Sequence, residues 1–176
     1  MPRYPISVDE FDVRPHHLWD KQSLILTAGD FTAGHYNAMT VGWGSFGTMW
    51  DRPIAMVVVR PQRYTYEFIE KYDTFTLCAF PPEHQAAVDL IGTTSGRYLN
   101  KIAEAGLTPV AASLVAAPIF AEAELAVECR KIFRTVYEPS QFVDPAIDQN
   151  YLNKDYHRVY FGEILAVEGI ASYARP

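Results

Sequence analysis

The sequence is poor in cysteine and lacks long apolar runs. Its two cysteines, Cys78 and Cys129, each lie in an apolar, strand-like run without a partner at metal-ligand spacing. Buried free thiols are favoured over a disulfide, because a reducing cytosol suppresses such bonds. No stretch approaches the ~20 apolar residues that cross a bilayer, and residues 1–5 are not followed by an apolar signal core. We therefore expect no membrane partner and a cytoplasmic location.

Positive charge is also scarce. Lys and Arg number 15 against 21 Asp and Glu, which gives a formal net charge of -6. Nonspecific nucleic-acid binding depends on Lys and Arg that neutralise phosphates, so the composition argues against a nucleic-acid partner. His16 and His17 lack a third ligand at motif spacing, and we predict no metal site.

Repeats and linkers are absent, and 176 residues with 49% hydrophobic content suffice for one substantial core. We predict a single domain over residues 1–176. Residues 1–20 are polar and proline-marked, so they are expected to form an arm over the domain surface or over a partner subunit.

An unusual strand is predicted where the sequence reads Asn37-Ala38-Met39-Thr40-Val41-Gly42-Trp43-Gly44. Alternation with a period of two places the odd-numbered, mostly bulky residues on one face and the small residues on the other. Small residues let a flat ligand approach the backbone. The alternative is an ordinary core strand that carries a stray Asn and Thr.

The same region matches a dinucleotide-binding fingerprint, G-x-G-x-x-G, at residues 42–47. That fingerprint requires a helix to begin at its end, so that the helix N-terminus can hold the pyrophosphate. Residues 48–53 instead form a proline-containing turn without helical periodicity, followed by another strand at residues 53–59. We therefore reject a Rossmann fold.

An anion site is predicted where that strand meets a helix over residues 63–71. Arg60, Arg63 and Thr65 surround the start of the helix, where unpaired N–H groups and the helix dipole favour negative charge. Two guanidinium groups and a hydroxyl would suit a phosphate. The alternative is that both arginines are solvated surface charges.

The remaining pattern predicts a mainly β protein, an antiparallel β-barrel with helical insertions. Further strands are predicted at residues 23–29, 72–80, 118–136 and 157–167, and short helices at 83–91 and 98–105. Ser95 and Lys101 are either ligand contacts or a turn serine and a surface lysine. Glu122, Glu124 and Glu128 are expected on a solvated sheet face. The polar segment 138–155 is expected to be a lid or a dimer contact.

From about Leu24 to Val167 the chain resembles the flavin reductase-like family with the FMN-binding split barrel, which includes flavoredoxin. The resemblance rests on five short motifs in order along the chain: Asn37-Ala38-Met39-Thr40 with Trp43-Gly44, Arg60-Pro61 with Tyr64-Thr65-Tyr66, Ser95-Gly96-Arg97 with Lys101, Ala105-Gly106-Leu107-Thr108-Pro109-Val110, and Asp155-Tyr156-His157-Arg158 with Gly162-Glu163-Ile164.

The resemblance implies a homodimer that holds FMN noncovalently near the subunit interface. Arg60, Arg63, Tyr64 and Thr65 would surround the phosphate. Ser95, Gly96 and Lys101 would reach the flavin or its phosphate, and Lys101 would also stabilise the negative charge of reduced flavin. His157, the catalytic candidate, would approach the isoalloxazine and position the ring or the donor. The full set of cofactor-binding positions carried over is Asn37, Met39, Thr40, Val41, Trp43, Arg60, Arg63, Tyr64, Thr65, Ser95, Gly96, Lys101 and His157.

The implied activity is an NAD(P)H-dependent FMN oxidoreductase, a flavin reductase that transfers a hydride from nicotinamide to flavin. An FMN-binding electron carrier that is reduced by a redox protein partner is the alternative. A member that has lost flavin is a third. NADH and NADPH both stay open as donors, because the family has no separate motif that reads a 2′-phosphate.

Overall fold

The computed structural model describes residues 2–175. Most of the strands belong to one antiparallel sheet, whose neighbours follow the order β3-β2-β6-β9-β10-β5-β4, with β1 added against β10. These strands are β1 (Tyr4–Ile6), β2 (Leu24–Asp30), β3 (His35–Val41), β4 (Gly44–Met49), β5 (Arg52–Val59), β6 (Thr74–Ala79), β9 (Leu125–Val136) and β10 (Arg158–Gly169). A separate pair joins β7 (Pro109–Val110) to β8 (Ile119–Phe120).

The two edge strands of this path are neighbours in the sequence. Only Gly42 and Trp43 separate the end of β3 from the start of β4. A sheet whose outer strands are joined by two residues has to curl until those strands meet, so the sheet takes a barrel form with a gap at this junction.

The inside of the curled sheet is the main core. Alternate residues of β2, β5, β6, β9 and β10 face inward, as the two-residue period requires. They include Leu26, Val57, Leu77 and Val127, all fully buried. Gly162 of β10 lacks a side chain because a Cβ there would lie 2.5 Å from the Phe75 ring.

The helices cover part of the outside of the barrel. α1 is Tyr64–Lys71, α2 is Gln85–Thr93 and α3 is Lys101–Glu104. α2 packs Val88 and Ile91 on Ile25 and Ala38 and forms a second apolar cluster. These helices confirm the three predicted ones, although α3 begins three residues later than predicted.

β4 is a strand that the sequence analysis did not predict. It pairs with β5 from Gly44 opposite Val57 to Met49 opposite Arg52. Trp50 and Asp51 form the turn, with φ values of 53° and 55°, which matches the two-residue hairpin turn that suits twisted strands. Because β4 continues through residue 47 and leads directly to β5 rather than to a helix, the structure confirms the rejection of a Rossmann fold.

The predicted solvated row of carboxylates is wrong for Glu128. Its side chain is 1% exposed and accepts hydrogen bonds from the backbone N–H groups of Ser113 and Leu114 at 2.8 and 2.7 Å. Glu124 lies before β9 rather than on it and accepts from Gln22 at 2.7 Å. Loops folded over this part of the sheet bury a face that alternation alone assigns to solvent.

The N-terminal arm is part of the fold rather than a loose cover. Tyr4–Ile6 pairs with residues 167–169 of β10. A π-helical turn at His17–Gln22 places Leu18 and Trp19 in the core, at 2% and 5% exposure. Barrel residues and arm residues therefore share one apolar cluster.

Candidate functional site

β3 separates two environments, as its alternation predicts. Met39 and Val41 face the barrel core, whereas Ala38 packs beneath the helices. Thr40 donates a hydrogen bond to the Val88 carbonyl of α2 at 2.6 Å. The small residues on this face therefore leave room for α2 to pack. The sequence analysis had instead considered a flat ligand on this face of the strand.

A buried polar pair joins β3 to the start of α1. Asn37, 5% exposed, donates through Nδ2 to Thr65 Oγ1 at 2.7 Å, and Thr65 Oγ1 donates to the Ala38 carbonyl at 3.1 Å. Both side chains belong to the predicted set. Because the hydroxyl and amide groups are fixed by each other, the remaining Asn37 carbonyl oxygen has a defined direction.

Gly96 lies directly against this pair. A Cβ at Gly96 would lie 2.2 Å from Asn37 Oδ1 and 3.3 Å from the Tyr64 ring. Only glycine therefore fits, and the backbone of the loop comes as close to Asn37 as a hydrogen-bonded ligand would. Arg97 ties the same loop to α1 through an ion pair with Glu67 and stacks over the Tyr64 ring at 5.0 Å.

Lys101 is a buried cation, which excludes the alternative of a surface lysine. It is 4% exposed, and its Nζ donates to the carbonyls of Ile91 at 2.7 Å and Thr94 at 2.9 Å. These carbonyls end α2, where the helix dipole favours positive charge. Burial, with a smaller contribution from Arg63, lowers the pKa of Lys101 to about 8. The lysine is still mainly protonated at pH 7, since that value lies above it.

Arg63 precedes α1 and carries the unsatisfied positive charge of this region. Its side chain has no hydrogen-bond or ion-pair partner within residues 2–175. The residue is exposed at the surface of the cleft, and the first N–H groups of α1 lie beside it. An exposed guanidinium beside the start of a helix is the arrangement on which the predicted anion site depends.

Arg60 differs from that prediction, because its guanidinium group is already occupied. It donates to Asp155 Oδ2 and to the Asn150 carbonyl, both at 2.9 Å, and lies 5.1 Å from the centre of the Tyr151 ring. The hydrogen bond from Arg60 lowers the pKa of Asp155. Arg60 therefore anchors segment 150–155, and Arg63 is the arginine with donors to spare.

His157 is a neutral side chain held at the other end of the cleft. It is 8% exposed, and its Nδ1 lies 2.8 Å from the Tyr151 hydroxyl. Burial, reinforced by Arg60, lowers the pKa of His157 to about 4, although Asp155 acts in the opposite direction. Burial also raises the pKa of Tyr151. The pair therefore carries no charge at pH 7.

Trp43 forms the open wall beside this pair. Its ring centre is 5.2 Å from that of His157 at an interplanar angle of 48°, and the residue is 51% exposed. A large aromatic side chain that is half exposed at a cleft is typical of ligand contact, because leaving it in water forgoes apolar burial.

The predicted residues converge on two hollows that share Met39 and Arg63 and together form one cleft. The first, the Lys101 hollow, is lined by Asn37, Tyr64, Thr65, Ser95, Gly96 and Lys101. The second, the His157 hollow, is lined by Thr40, Val41, Trp43, Arg60 and His157. All thirteen positions carried over from the resemblance lie in this cleft.

The sequence analysis missed several cleft residues. Val58 of β5 lines the His157 hollow, and Gln62, Thr93 and Thr94 line the Lys101 hollow. Alternation along β5 would have placed Val58 and Arg60 on one face of the strand, and this is the signal that identifies Val58. Nothing in the local pattern marks Tyr151, which contacts His157 of the cleft only through the fold of the loop.

The cleft fits FMN in the chemistry of its donors. The Lys101 hollow offers two cations, Arg63 and Lys101, and the Ser95 hydroxyl, which suit a phosphate group and ribityl hydroxyls. The His157 hollow offers Met39, Val58 and Trp43, which suit a planar ring.

Residues 2–175 offer neither a metal centre nor a membrane span formed by a helix. That range contains no cluster of three or more His, Cys, Asp or Glu side chains able to hold a metal ion. None of its helices is both long and apolar enough to traverse a bilayer.

Comparison with protein families gives a match over residues 21–174 to the flavin reductase like domain. A curated relative, an uncharacterised protein of Aeropyrum pernix, is 32% identical over 96 residues, which is 54% of this chain and 36% of that protein. The matched segment thus spans about a third of the length of that relative.

Solved structures share the fold. An FMN-binding domain of a flavin reductase-like enzyme from Shewanella baltica superposes with a TM-score of 0.68 at 16% identity, covering 96% of this chain and 77% of the other. Flavoredoxin of Desulfovibrio vulgaris gives 0.67 at 23%, covering 88% and 73%. The NADH:FAD oxidoreductase of Streptomyces globisporus gives 0.64 at 14%, covering 86% and 76%. These likenesses confirm the predicted mainly β, split-barrel fold.

Proposed function

The chain belongs to the flavin reductase-like family, and from this premise we propose that it is an FMN-dependent oxidoreductase that reduces its flavin with NADH or NADPH. One observation carries the proposal. Thirteen positions chosen from scattered sequence motifs line a single cleft, with cations at one end and an aromatic wall at the other. Family membership makes flavin the natural occupant, and the donor set agrees with it.

In this proposal the chain binds FMN and orients its ring, and bound FMN would supply the group that accepts the hydride. Arg63 and Lys101 would hold the phosphate, supported by the N-terminus of α1, and Thr65 would keep that helix start in place through its hydrogen bonds to Asn37 and Ala38. Trp43 and Met39 would contact the ring and exclude water from it. Neutral His157 would donate or accept a hydrogen bond without adding charge, so it would orient the ring rather than act as an acid at pH 7.

The binding part of the proposal is tested by Arg63→Gln. Charged hydrogen bonds contribute about 1.5–3 kcal/mol each, so FMN affinity should fall about 10-fold to 100-fold. Arg130→Gln is the matched control, because Arg130 is an exposed arginine paired with Glu163 outside the cleft; its effect should stay within about threefold. Fluorescence titration with FMN measures both. Equal effects of the two variants would contradict the assignment of the phosphate to Arg63.

The redox part is tested by an absorbance spectrum of the FMN-loaded protein before and after anaerobic addition of NADH, and then of NADPH. Bleaching of the flavin band by either nucleotide supports the reductase. A loaded protein that neither nucleotide bleaches, but that a protein donor reduces, would replace the proposal with an electron carrier. A protein that binds no FMN would refute the assignment of the cleft itself.

We also propose that the chain forms one domain and acts as a homodimer. Trp50 and Phe133, at 56% and 46% exposure, form an aromatic group with Phe161 on the outside of the sheet. Exposed aromatic clusters of this kind are unfavourable in water and are typical of protein contacts. Light scattering should give twice the monomer mass, and a reduction to the monomer mass is expected for Trp50→Ser. A wild-type monomer would contradict the proposal.

A further inference from the structure

A second pocket lies beside the cleft, in the segment that follows β9. Two short 3₁₀ turns, Pro139–Gln141 and Pro145–Asn150, shape this segment. The pocket between them and Trp43, called the loop pocket, has a volume of about 460 Å³. That exceeds either hollow of the cleft and falls within the usual range of small-molecule sites. None of the thirteen predicted positions except Trp43 lines it.

The walls of the loop pocket are aromatic. Trp43, Tyr137, Phe142 and Tyr151 all contribute to the lining, together with Ile147. Phe142 and Tyr151 are nearly parallel, with an interplanar angle of 11° and ring centres 5.9 Å apart, while Tyr137 meets Phe142 at 63°. Parallel and edge-on rings around one space are the arrangement in which a further planar ring gains most by packing.

Charge selects the kind of ring. Glu138 is the sole charged residue among those that line the pocket, and the nearby Arg60 guanidinium is paired with Asp155, so a buried organic anion would find no free cation there. The Gln141 side chain has no hydrogen-bond partner among the described residues, and it can bind a hydroxyl or carbonyl substituent. An uncharged ring with one polar substituent matches both features.

The loop pocket is connected to the cleft. Trp43 is a wall of both spaces, and Tyr151, a wall of the loop pocket, is hydrogen-bonded to His157 of the cleft. Arg60 fixes the segment from the cleft side through the Asn150 carbonyl. The pocket is therefore held in place by the same residues that shape the cleft.

We propose that the loop pocket binds an uncharged, planar aromatic compound, of the phenol or naphthol class, next to the cleft. Its description as the site of the second substrate rests on the proposed function, whereas binding itself does not require flavin. The lining offers no free cation for the phosphates of a dinucleotide donor, which favours an uncharged compound.

Isothermal titration calorimetry with two matched probes, naphthol and naphthoate, tests this proposal on the FMN-loaded wild-type protein. Naphthol should bind at least about tenfold more tightly than naphthoate, because the two differ mainly by the carboxylate. Glu138→Gln should reduce that preference by improving naphthoate binding. Equal binding of the two probes, or a preference for naphthoate, would overturn the proposal.

Two variants locate the bound probe. Phe142→Ala should weaken naphthol binding about fivefold or more, because it removes one of the parallel rings. Val143→Ala is the matched control, since Val143 is adjacent in the sequence but 99% exposed. Ile147→Trp, at the 40% exposed rim, should block the pocket without removing any contact from the core. Wild-type naphthol affinity in both Phe142→Ala and Ile147→Trp would refute the site.

FMN affinity is measured on the same samples. Phe142→Ala and Ile147→Trp should leave it unchanged, because neither residue lines the cleft. Loss of naphthol binding with normal FMN binding is the expected result. Absence of FMN binding with normal naphthol binding would refute the proposed function and leave the loop pocket established.

Discussion

Lys101 offers the sharpest test of how the cleft is built. Its hydrogen bonds stabilise the fold, whereas the burial of its charge destabilises it. The variant Lys101→Met keeps most of the volume and removes the charge. The wild-type ammonium group satisfies two carbonyls at the end of α2, those of Ile91 and Thr94. Leaving buried carbonyls without a donor costs about 1–3 kcal/mol.

The same substitution removes a buried charge. The pKa of Lys101 falls from 10.5 to about 8, and at 1.36 kcal/mol per pKa unit this shift corresponds to roughly 3 kcal/mol. Water in the cleft screens part of this cost, so about 2 kcal/mol is a reasonable value. The loss and the gain nearly cancel, and the free energy of unfolding of Lys101→Met should lie within about 1.5 kcal/mol of wild type.

The effect of Lys101→Met on FMN binding should not be offset in this way. A cation beside the phosphate contributes through a charged hydrogen bond, so its removal should weaken FMN binding about tenfold or more at pH 7. Because the folded-state pKa is lowered, wild-type Lys101 loses its proton as pH rises through about 8. Wild-type FMN affinity should therefore fall between pH 7 and 9.5, and the affinity of Lys101→Met should stay flat.

The assays are urea unfolding and fluorescence titration with FMN at both pH values. Lys71→Met is the control, because Lys71 lies at the exposed end of α1, away from the cleft. A parallel fall in the FMN affinity of wild type and Lys101→Met over this pH range would refute the role of the Lys101 charge. A loss of more than about 4 kcal/mol of unfolding free energy would refute the cancellation.

Two further predictions follow from the close contacts of the cleft. Gly96→Ala should weaken FMN binding about tenfold and destabilise the fold by about 1–3 kcal/mol, because its Cβ would lie 2.2 Å from Asn37 Oδ1. Titration with FMN and urea unfolding measure these two effects, and normal FMN binding would contradict the contact. Since the pKa of His157 is lowered to about 4, the unfolded state binds more protons between pH 6.5 and 4, and wild type should lose about 1–2 kcal/mol there after allowance for screening. His157→Gln should remove this part of the acid sensitivity, measured by urea unfolding at pH 7 and 4.5, and an unchanged pH dependence would contradict it.

Local pattern was sufficient for most of the strands and helices. Periods of two and of about 3.6 residues identified β2, β3, β5, β6 and α1, because side-chain direction in these elements follows directly from backbone geometry. β4 escaped because its glycines and threonine resemble a turn. What makes it a strand is pairing with β5, which is a nonlocal contact.

The candidate site divides in the same way. Motif order along the chain identified thirteen residues, and the fold brought all of them to one cleft. The sequence could not show that Arg60 is occupied by Asp155 and Asn150 while Arg63 has donors to spare, since those partners lie about ninety residues away. Nor could it show that Lys101 is buried, because burial depends on which elements pack around a side chain.

The sequence by itself determined the residue types of the cleft, the order of the elements and the absence of a helix after the glycine-rich stretch. These follow from local chemistry and from periodicity. The tertiary structure alone decided the charge states of His157 and Lys101, the burial of Glu128 and the existence of the loop pocket. Each of these depends on desolvation or on contacts between distant segments, and neither can be calculated until the chain has been brought together.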